Sequence, residues 1–182
     1  DPDEATILAH LQYPFTNPYD LLRRASTATF YDLHQYRRTL ATPSPQPNVV
    51  YTLARETHDA DLPAGMRTTI QHTFSYSDGF EREIQKKMQA EPGPAPTRDK
   101  NGQIILGADR QPQMTSHDGS PRWVGSGWTV FNNKGKAVRQ YEPFFTDTHS
   151  FEFDVCIGVS PVMFYDPLER LIATLHPNHS WE

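Results

Sequence analysis

Along several stretches of this chain, large apolar and small polar side chains alternate with the period of two that β-strands show. In TTIQHTFSYSD a large side chain stands at every second position from Ile70 to Tyr76, and this pattern predicts a half-buried strand. VVYTLARETH is rich in β-branched and aromatic residues and predicts another strand. EREIQKKMQAE either continues the strand pattern or forms one short helix. WVGSGWTVFNNKGKAVRQYEPFF predicts a strand, a turn and a strand, and residues 151–182 predict a run of short strands.

The first part of the chain carries weaker patterns. Residues 1–27 are only weakly helical, and we predict a connector with a short helix after Pro18, anchored by Leu21 and Leu22. The next segment, TATFYDLHQYRRTLAT, predicts a strand, a turn and a return strand. We take residues 28–182 together as one β-sheet region.

Residues 91–122 differ in composition from the segments around them. They are rich in Pro, Gly and polar side chains, and their apolar island from Ile104 to Leu106 docks on a neighbour or forms a small hairpin. This composition predicts a long irregular excursion on the surface. The whole chain holds 16 Pro and only 36% apolar residues, which disfavours a helical bundle. We therefore predict a mostly β protein of antiparallel strand–turn–strand units with a long irregular insertion.

A turn motif recurs along the predicted sheet. WTVFNNKGKAV and VMFYDPLERLI each contain an aromatic residue, then Asn or Asp, two spacers, a fourth turn residue, a basic residue and an apolar return. The side-chain oxygen of Asn132 or Asp166 can cap such a turn, and Pro167 suits the second position through its fixed φ. Gly135 at the fourth position accepts a positive φ and forms a bulge, whereas Glu169 at the same position would be strained by roughly 1 kcal/mol.

Two further copies of the motif are less regular. TFSYSDGFEREI, residues 73–84, fits with one extra residue in the turn, and it has Glu81 where glycine is expected. TFYDLHQYRR, residues 29–38, is a looser copy. The spacing between copies is unequal, unlike that of a strict solenoid.

The repeated pattern resembles the YD repeat of Rhs-type proteins. Beyond the repeat, the strings VVYTLARETHDADLPAG, IQHTFSYSDGFEREIQKKMQAEPGP, GWTVFNNKGKAVRQYEPFF and GVSPVMFYDPLERLIATLHPNHSWE are similar to the B component of insecticidal Tc toxin complexes. The resemblance covers about residues 28–182 with short gaps.

This resemblance implies a structural, non-enzymatic role. The chain would be an internal fragment of a large secreted toxin protein, and its curved sheet would form part of a hollow shell around a toxic cargo polypeptide. The implied partners are the rest of the parent chain, a C-type component with its cargo, and a translocation pore reached through the parent protein. The turn residues Asn132, Gly135, Asp166, Pro167 and Glu169 would set strand register, and no cofactor or metal is implied.

Other functions stay open on the residues alone. Aromatic side chains exposed in a row would favour a carbohydrate- or surface-binding β-module. His176 and His179 would have to ligate the metal of a metal-dependent hydrolase, with His149 and Asp154 as conceivable further ligands. Asp166 and Glu169 would act as an acid/base pair only if their environments separated their pKa values. Cys156, between apolar and β-prone residues, is expected to be a buried small side chain.

Charge and hydropathy exclude some classes of partner. The formal net charge is −5 without a basic block, which disfavours binding to nucleic acid. No stretch approaches the roughly 18 apolar residues of a transmembrane helix, so we expect no membrane insertion by this segment. The first residues also lack the charged and apolar regions of a signal peptide.

Overall fold

Antiparallel strand pairs dominate the computed structural model of the chain, which describes residues 2–80, 82–99, 103–115 and 122–182. The prediction of a mostly β, antiparallel fold is confirmed. The chain divides into two units, Asp1–Gln89 and Ala90–Glu182. Within the described ranges no helix is long and apolar enough to cross a membrane.

The first unit begins with helices and ends in a sheet whose strands follow the order β1-β2-β3-β4, with antiparallel neighbours. Its elements are α1 (Glu4–Gln12), α2 (Pro18–Leu22), β1 (Thr27–Asp32), α3 (Gln35–Thr39), β2 (Asn48–Arg55), a 3-10 turn (Asp59–Asp61), β3 (Ile70–Ser77) and β4 (Glu83–Ala90). The segment EREIQKKMQAE is therefore a strand, one of the two forms that its pattern allows.

The alternating side chains of β2 and β3 form the core of the first unit. Tyr51 and Leu53 are fully buried, and Phe74 is 1% exposed. The rings of Tyr51 and Phe74 stack with centroids 4.5 Å apart, and the Tyr51 hydroxyl lies 2.8 Å from Nδ1 of buried His72. Burial of the Tyr51 phenol raises its pKa well above the usual range. The two-residue pattern thus buries one face of these strands.

The helical segment at the start is longer than the sequence pattern indicates. The helix after Pro18 is α2, whose Leu21 and Leu22 are buried and pack against β1 and β2. The sequence pattern misses α1, although Asp3 is a good N-cap residue. The Asp3 carboxylate accepts a hydrogen bond of 2.8 Å from the backbone N–H of Thr6.

The return strand predicted after Tyr31 is wrong. β1 ends at Asp32, α3 follows, and the antiparallel partner of β1 is β2. The Asp32 carboxylate accepts a 3.1 Å hydrogen bond from the backbone N–H of His34 and pairs with Arg38 of α3. These contacts stabilise a bend into a helix, so residues 29–38 are not a copy of the hairpin turn.

The second unit contains two groups of strands. Its elements are β5 (Arg122–Gly125), β6 (Thr129–Phe131), β7 (Ala137–Gln140), β8 (Phe144–Thr146), β9 (Val162–Tyr165) and β10 (Leu171–Leu175). β5 pairs with β8, which buries Trp123 and Phe144. The second group is a sheet with the order β10-β9-β7-β6. Gly127, just before β6, is required by space, since a Cβ there would lie 1.8 Å from the carbonyl oxygen of Tyr141.

The excursion that begins at residue 91 is more ordered than its composition suggests. Isolated bridges join Pro96 to Met114, Arg98 to Ile104 and Leu106 to Pro112, so the apolar island forms a small hairpin ladder. Side chains also fasten it within the unit: Arg98 pairs with Glu152, and both side chains are at most 10% exposed. Residues 100–102 and 116–121 of the predicted excursion lie outside the described residues.

The segment before β9 corrects two predictions. Residues 151–161 are irregular, so the run of short strands consists of β9 and β10 among the elements described there. Cys156 is exposed, whereas its neighbour Val155 is 7% exposed. Asp154 has φ 55, and its carbonyl accepts from the Cys156 N–H at 3.0 Å. This tight bend points the valine inward and the cysteine outward.

We expect Leu53→Ala to destabilise the 182-residue chain by about 2–5 kcal/mol, because it removes a fully buried side chain from the first core. Leu40→Ala is the matched control, since Leu40 is 56% exposed, and it should change stability by less than about 1 kcal/mol. Urea unfolding followed by far-UV circular dichroism measures both. Equal midpoints for the two variants would contradict this account of the core.

Candidate functional site

A five-residue turn connects β6 to β7. The N–H of its first residue, Asn132, donates to the carbonyl of Lys136 at 2.9 Å, and the N–H of Gly135 donates to the carbonyl of Asn132 at 2.9 Å. The Asn132 side-chain oxygen accepts from the N–H groups of Lys134 at 2.9 Å and Lys136 at 3.0 Å. Gly135 has φ 79, in the left-handed region that glycine adopts without strain. This is a type I turn followed by a bulge.

The turn between β9 and β10 has the same geometry. The N–H of Asp166 donates to the carbonyl of Arg170 at 3.0 Å, and the N–H of Glu169 donates to the carbonyl of Asp166 at 2.9 Å. The Asp166 carboxylate accepts from the Arg170 N–H at 2.9 Å and from Arg170 Nε at 2.7 Å. Pro167 stands second in the turn, and Glu169 takes the left-handed conformation with φ 66.

These two turns lie side by side, and we call Asn132–Lys136 with Asp166–Arg170 the turn cluster. β7 pairs with β9 through Arg139 and Val162, which brings both turns to the same end of the sheet. Lys134 Nζ donates to the carbonyl of Pro167 at 2.9 Å, and Lys136 Nζ lies 3.4 Å from a Glu169 carboxylate oxygen.

The turn cluster thus contains all five of the turn residues that the sequence singles out. The sequence motif did not indicate the contacts that join the two hairpins. Lys134 and Lys136 make two of these contacts, and Tyr165 makes a third. The Tyr165 hydroxyl donates to the carbonyl of Ala137 at 2.9 Å. An aromatic residue just before the Asx position is the sequence signal for this third link.

The turn between β3 and β4 belongs to the same class. The N–H of Asp78 donates to the carbonyl of Arg82 at 3.1 Å, and the Asp78 carboxylate accepts from the N–H groups of Phe80 at 2.8 Å and Arg82 at 3.2 Å. The extra residue of this copy is Ser77, which stands between Tyr76 and Asp78, belongs to β3 and pairs with Glu83. Glu81, expected at the strained position, lies outside the described residues.

Two more turns of this class carry no Asx residue at the first position, so the motif does not find them. In Gly107–Gln111 and His176–Ser180, the first N–H donates to the fifth carbonyl at 2.8 and 2.9 Å. The fourth residues, Arg110 and His179, have φ 61 and 65. In both turns an Asx residue stands at the third position instead. The side-chain oxygens of Asp109 and Asn178 accept from the N–H groups of the fifth residues, Gln111 and Ser180, at 3.0 Å.

His176 and His179 are separated by three positions because both belong to one of these five-residue turns. His176 is the first turn residue and His179 is the fourth, and His176 Nε2 lies 3.5 Å from a carboxylate oxygen of Glu182. Among the residues described by the structure, no group of three or more His, Cys, Asp and Glu side chains is arranged to hold a metal ion.

The carboxylate of Asp166 is held by donors from its own turn. The backbone N–H of Arg170 lowers its pKa most, and the Arg170 guanidinium, the N–H of Leu168 and the charge of Lys134 act in the same direction against the cost of desolvation. An ionised acceptor fixed in this way stabilises the turn, whereas a general acid would need a raised pKa.

Aromatic side chains of the second unit divide between the interior and the surface. Trp123 is 2% exposed, whereas Phe153 is 76% exposed and meets Trp128 edge-on with ring centroids 4.9 Å apart. Phe164 contacts Trp181 with ring centroids 5.5 Å apart. Trp128 also contacts Phe151, with ring centroids 6.1 Å apart, so the exposed Phe153 and Trp181 each pack against another aromatic ring.

Comparisons with known proteins give matches among solved structures alone. No protein-family model matches the chain, and no curated protein matches it. A crystal structure of TcdB2-TccC3 matches 86% of the chain at 24% identity and a TM-score of 0.63. The structure of the Photorhabdus luminescens Tc holotoxin pore matches 80% of the chain at 24% identity and a TM-score of 0.60. The chain has a Tc toxin-related fold.

A third Tc toxin structure extends the match along the chain. A crystal structure of TcdB2-TccC3-Cdc42 covers 99% of the chain at 21% identity and a TM-score of 0.58. This chain spans only 7% to 9% of the length of the solved chains that it matches. The shared fold therefore concerns one small part of much larger Tc toxin chains.

We expect Glu169→Gly to stabilise the chain by about 0.5–1 kcal/mol, since relief of left-handed strain (about 1–2 kcal/mol) exceeds the extra backbone entropy of glycine. Gly135→Ala should destabilise it by about 1 kcal/mol at the equivalent position of the sister turn. Urea unfolding measures both changes.

Glu169→Gln is the control for the charge of Glu169, because it keeps the strain and removes the ion pairs to Lys134 and Lys136. These pairs are about half exposed, so this variant should lose less than about 1 kcal/mol. A larger loss in Glu169→Gly than in Glu169→Gln would show that strain does not limit this turn.

The turn at Asp166 should weaken in acid. Its folded pKa is lowered from 3.8, so the carboxylate stabilises the turn above the ordinary Asp range and this contribution is lost as pH falls through the lowered pKa. Carboxyl-carbon NMR should show Asp166 titrating below 3.8. Asp166→Asn should remove the acid dependence while the turn persists, as it does around Asn132. Titration of Asp166 at or above its ordinary pKa would refute this assignment.

Proposed function

We propose that this chain is a non-enzymatic wall segment of a secreted Tc/Rhs-type toxin component. In this proposal the chain is an internal part of a B-type protein, whose β-shell encloses a toxic cargo polypeptide for delivery. The match to TcdB2-TccC3 over 86% of the chain is the observation that carries the proposal.

The local architecture supports a wall role. Hairpins closed by one class of turn pack laterally, and lysine links between neighbouring turns hold adjacent hairpins together. Antiparallel hairpins joined in this way extend a sheet without requiring a catalytic centre. Asn132, Gly135, Asp166, Pro167 and Glu169 then act as register-setting residues.

The partners follow from the same proposal. The matched structures carry TccC3, and one also carries Cdc42. For this chain we propose contacts with the rest of its parent polypeptide, and through it with a C-type component, the enclosed cargo and a translocation pore.

Protease protection of the cargo tests this function. The polypeptide that contains this chain is co-expressed with its C-type component, and the complex is treated with a broad-specificity protease. We expect the cargo to stay intact under conditions that digest it within minutes when the C-type component is expressed alone. Cleavage of the cargo at the same rate in both samples would overturn the proposal.

A variant of the turn cluster links protection to this segment. Asn132→Ala combined with Asp166→Ala removes both turn caps and should increase the cleavage rate of the cargo several-fold. Asn133→Ala combined with Leu168→Ala is the matched control, because both side chains are exposed in the same turns. We expect that control to protect the cargo like the unmodified protein.

A further inference from the structure

His10 has an unusual environment for a residue of a short terminal helix. It is the buried residue of α1, at 8% exposure, and lies in the last helical turn. Its Nδ1 is fully buried and has no hydrogen-bond partner among the described residues. A buried polar atom without a partner costs stability, and a charge at the same place costs far more.

The residues after α1 in the chain are more deeply buried than the residues of α1 itself. Further along the chain, Pro14, Leu21 and Leu22 are buried, and the Tyr19 hydroxyl donates to the carbonyl of Thr68. Within α1 itself the remaining side chains are exposed or half-buried. Among the side chains of α1, His10 is therefore the one that docking buries most deeply.

Side chains of α1 also form one wall of a cleft. Ile7 and Leu8 face Tyr31 and Leu33 across a cleft of about 360 Å³. Tyr31 and Leu33 are 65% and 64% exposed, even with α1 in place. Removal of α1 would open this cleft to solvent along its whole length.

Charged groups act on α1 from both sides. Asp20 of α2 attracts a protonated His10, whereas desolvation opposes protonation more strongly, and the pKa of His10 is lowered from its ordinary value of 6.5. On the cleft side, Glu4 of α1 lies with Asp32, His34 and Arg38. The Asp32 carboxylate is already paired with the Arg38 guanidinium.

We propose that α1 is an acid-released arm, docked on the first unit while His10 is neutral and released when His10 takes up a proton. Release exposes the wall of the cleft that contains Tyr31, Leu33 and Arg38. A detached helix of nine residues is marginal in water, so the arm unfolds when it leaves the surface. Pro14 and α2 stay in place and mark the limit of the moving segment.

Proton linkage gives the direction and the size of the effect. The released arm binds a proton with the ordinary histidine pKa and the docked arm binds it less readily, so docking is complete above about pH 6.5 and weakens as the pH falls. One linked proton raises the opening equilibrium constant by up to tenfold per pH unit.

Hydrogen exchange of the 182-residue chain tests the proposal. Protection factors of the α1 amides, corrected for intrinsic exchange rates, are measured between pH 7.5 and pH 4.5. We expect these protection factors to fall below about pH 6.5 by up to tenfold per pH unit, while the β3 amides keep theirs. Detection by NMR on the intact chain resolves the α1 amides and the β3 amides in one sample.

Two variants separate His10 from the other titratable groups. His10→Leu places a neutral apolar side chain in the buried position and should give α1 protection that does not change with pH. His58→Gln alters an exposed histidine of the same unit and should leave the acid loss unchanged. The proposal is overturned if the unmodified chain shows no acid loss in α1, or if His10→Leu shows the same loss. A direct NMR titration of the His10 imidazole at or above 6.5 would also overturn it.

Discussion

The hairpins β3–β4, β6–β7 and β9–β10 depend on one hydrogen-bonding arrangement, in which a side-chain oxygen at the first turn position accepts backbone N–H groups from later positions. Asn132 and Asp166 do this in the second unit, and Asp78 does it in the first. Each turn fixes where a hairpin reverses, and a slip of one residue would move every side chain to the opposite face. In β3 that register keeps Phe74 and His72 in the core.

The two units differ in how many buried side chains surround this turn. The first unit has a dense aromatic and aliphatic core around Tyr51, so packing and turn geometry reinforce each other. In contrast, β6, β7, β9 and β10 contain no buried residue, and all of their residues are described. That sheet relies on backbone pairing, on the turn cluster and on the lysine links between its turns. The left-handed conformation of Glu169 is tolerated there because several hydrogen bonds determine the turn around it.

Sequence patterns predict the parts of this fold in which local chemistry and tertiary structure agree. The alternation in β3 is predicted directly, because a period of two has few interpretations other than a strand. The turns that begin with Asn132 and Asp166 are predicted directly as well, because a capping side-chain oxygen at that position has few other interpretations. The motif at Tyr31 fails, since Asp32 has the same side chain but binds Arg38 and leads into a helix. Arg110 could not be predicted at a left-handed position, because arginine does not favour that conformation. The motif misses His179, because its turn does not begin with an Asx residue.

Burial is harder to predict from sequence than strand position in this chain. Cys156 lies among apolar residues, yet the bend at Asp154 turns it outward. His10 is polar in a weak helical pattern, yet it is the residue that α1 buries. Both outcomes depend on contacts with distant segments, which a local pattern does not contain.

A measurement of the turn hydrogen bonds in solution tests most directly whether these turns set the strand register. Scalar couplings across hydrogen bonds, between amide nitrogen and carbonyl carbon, report each donor–acceptor pair individually in the isotopically labelled chain. We expect couplings from Asn132 N to the Lys136 carbonyl and from Asp166 N to the Arg170 carbonyl, with Glu169 showing the backbone coupling constants of a positive φ. Couplings shifted by one residue, or a negative φ at Glu169, would contradict the claim that these turns set the register.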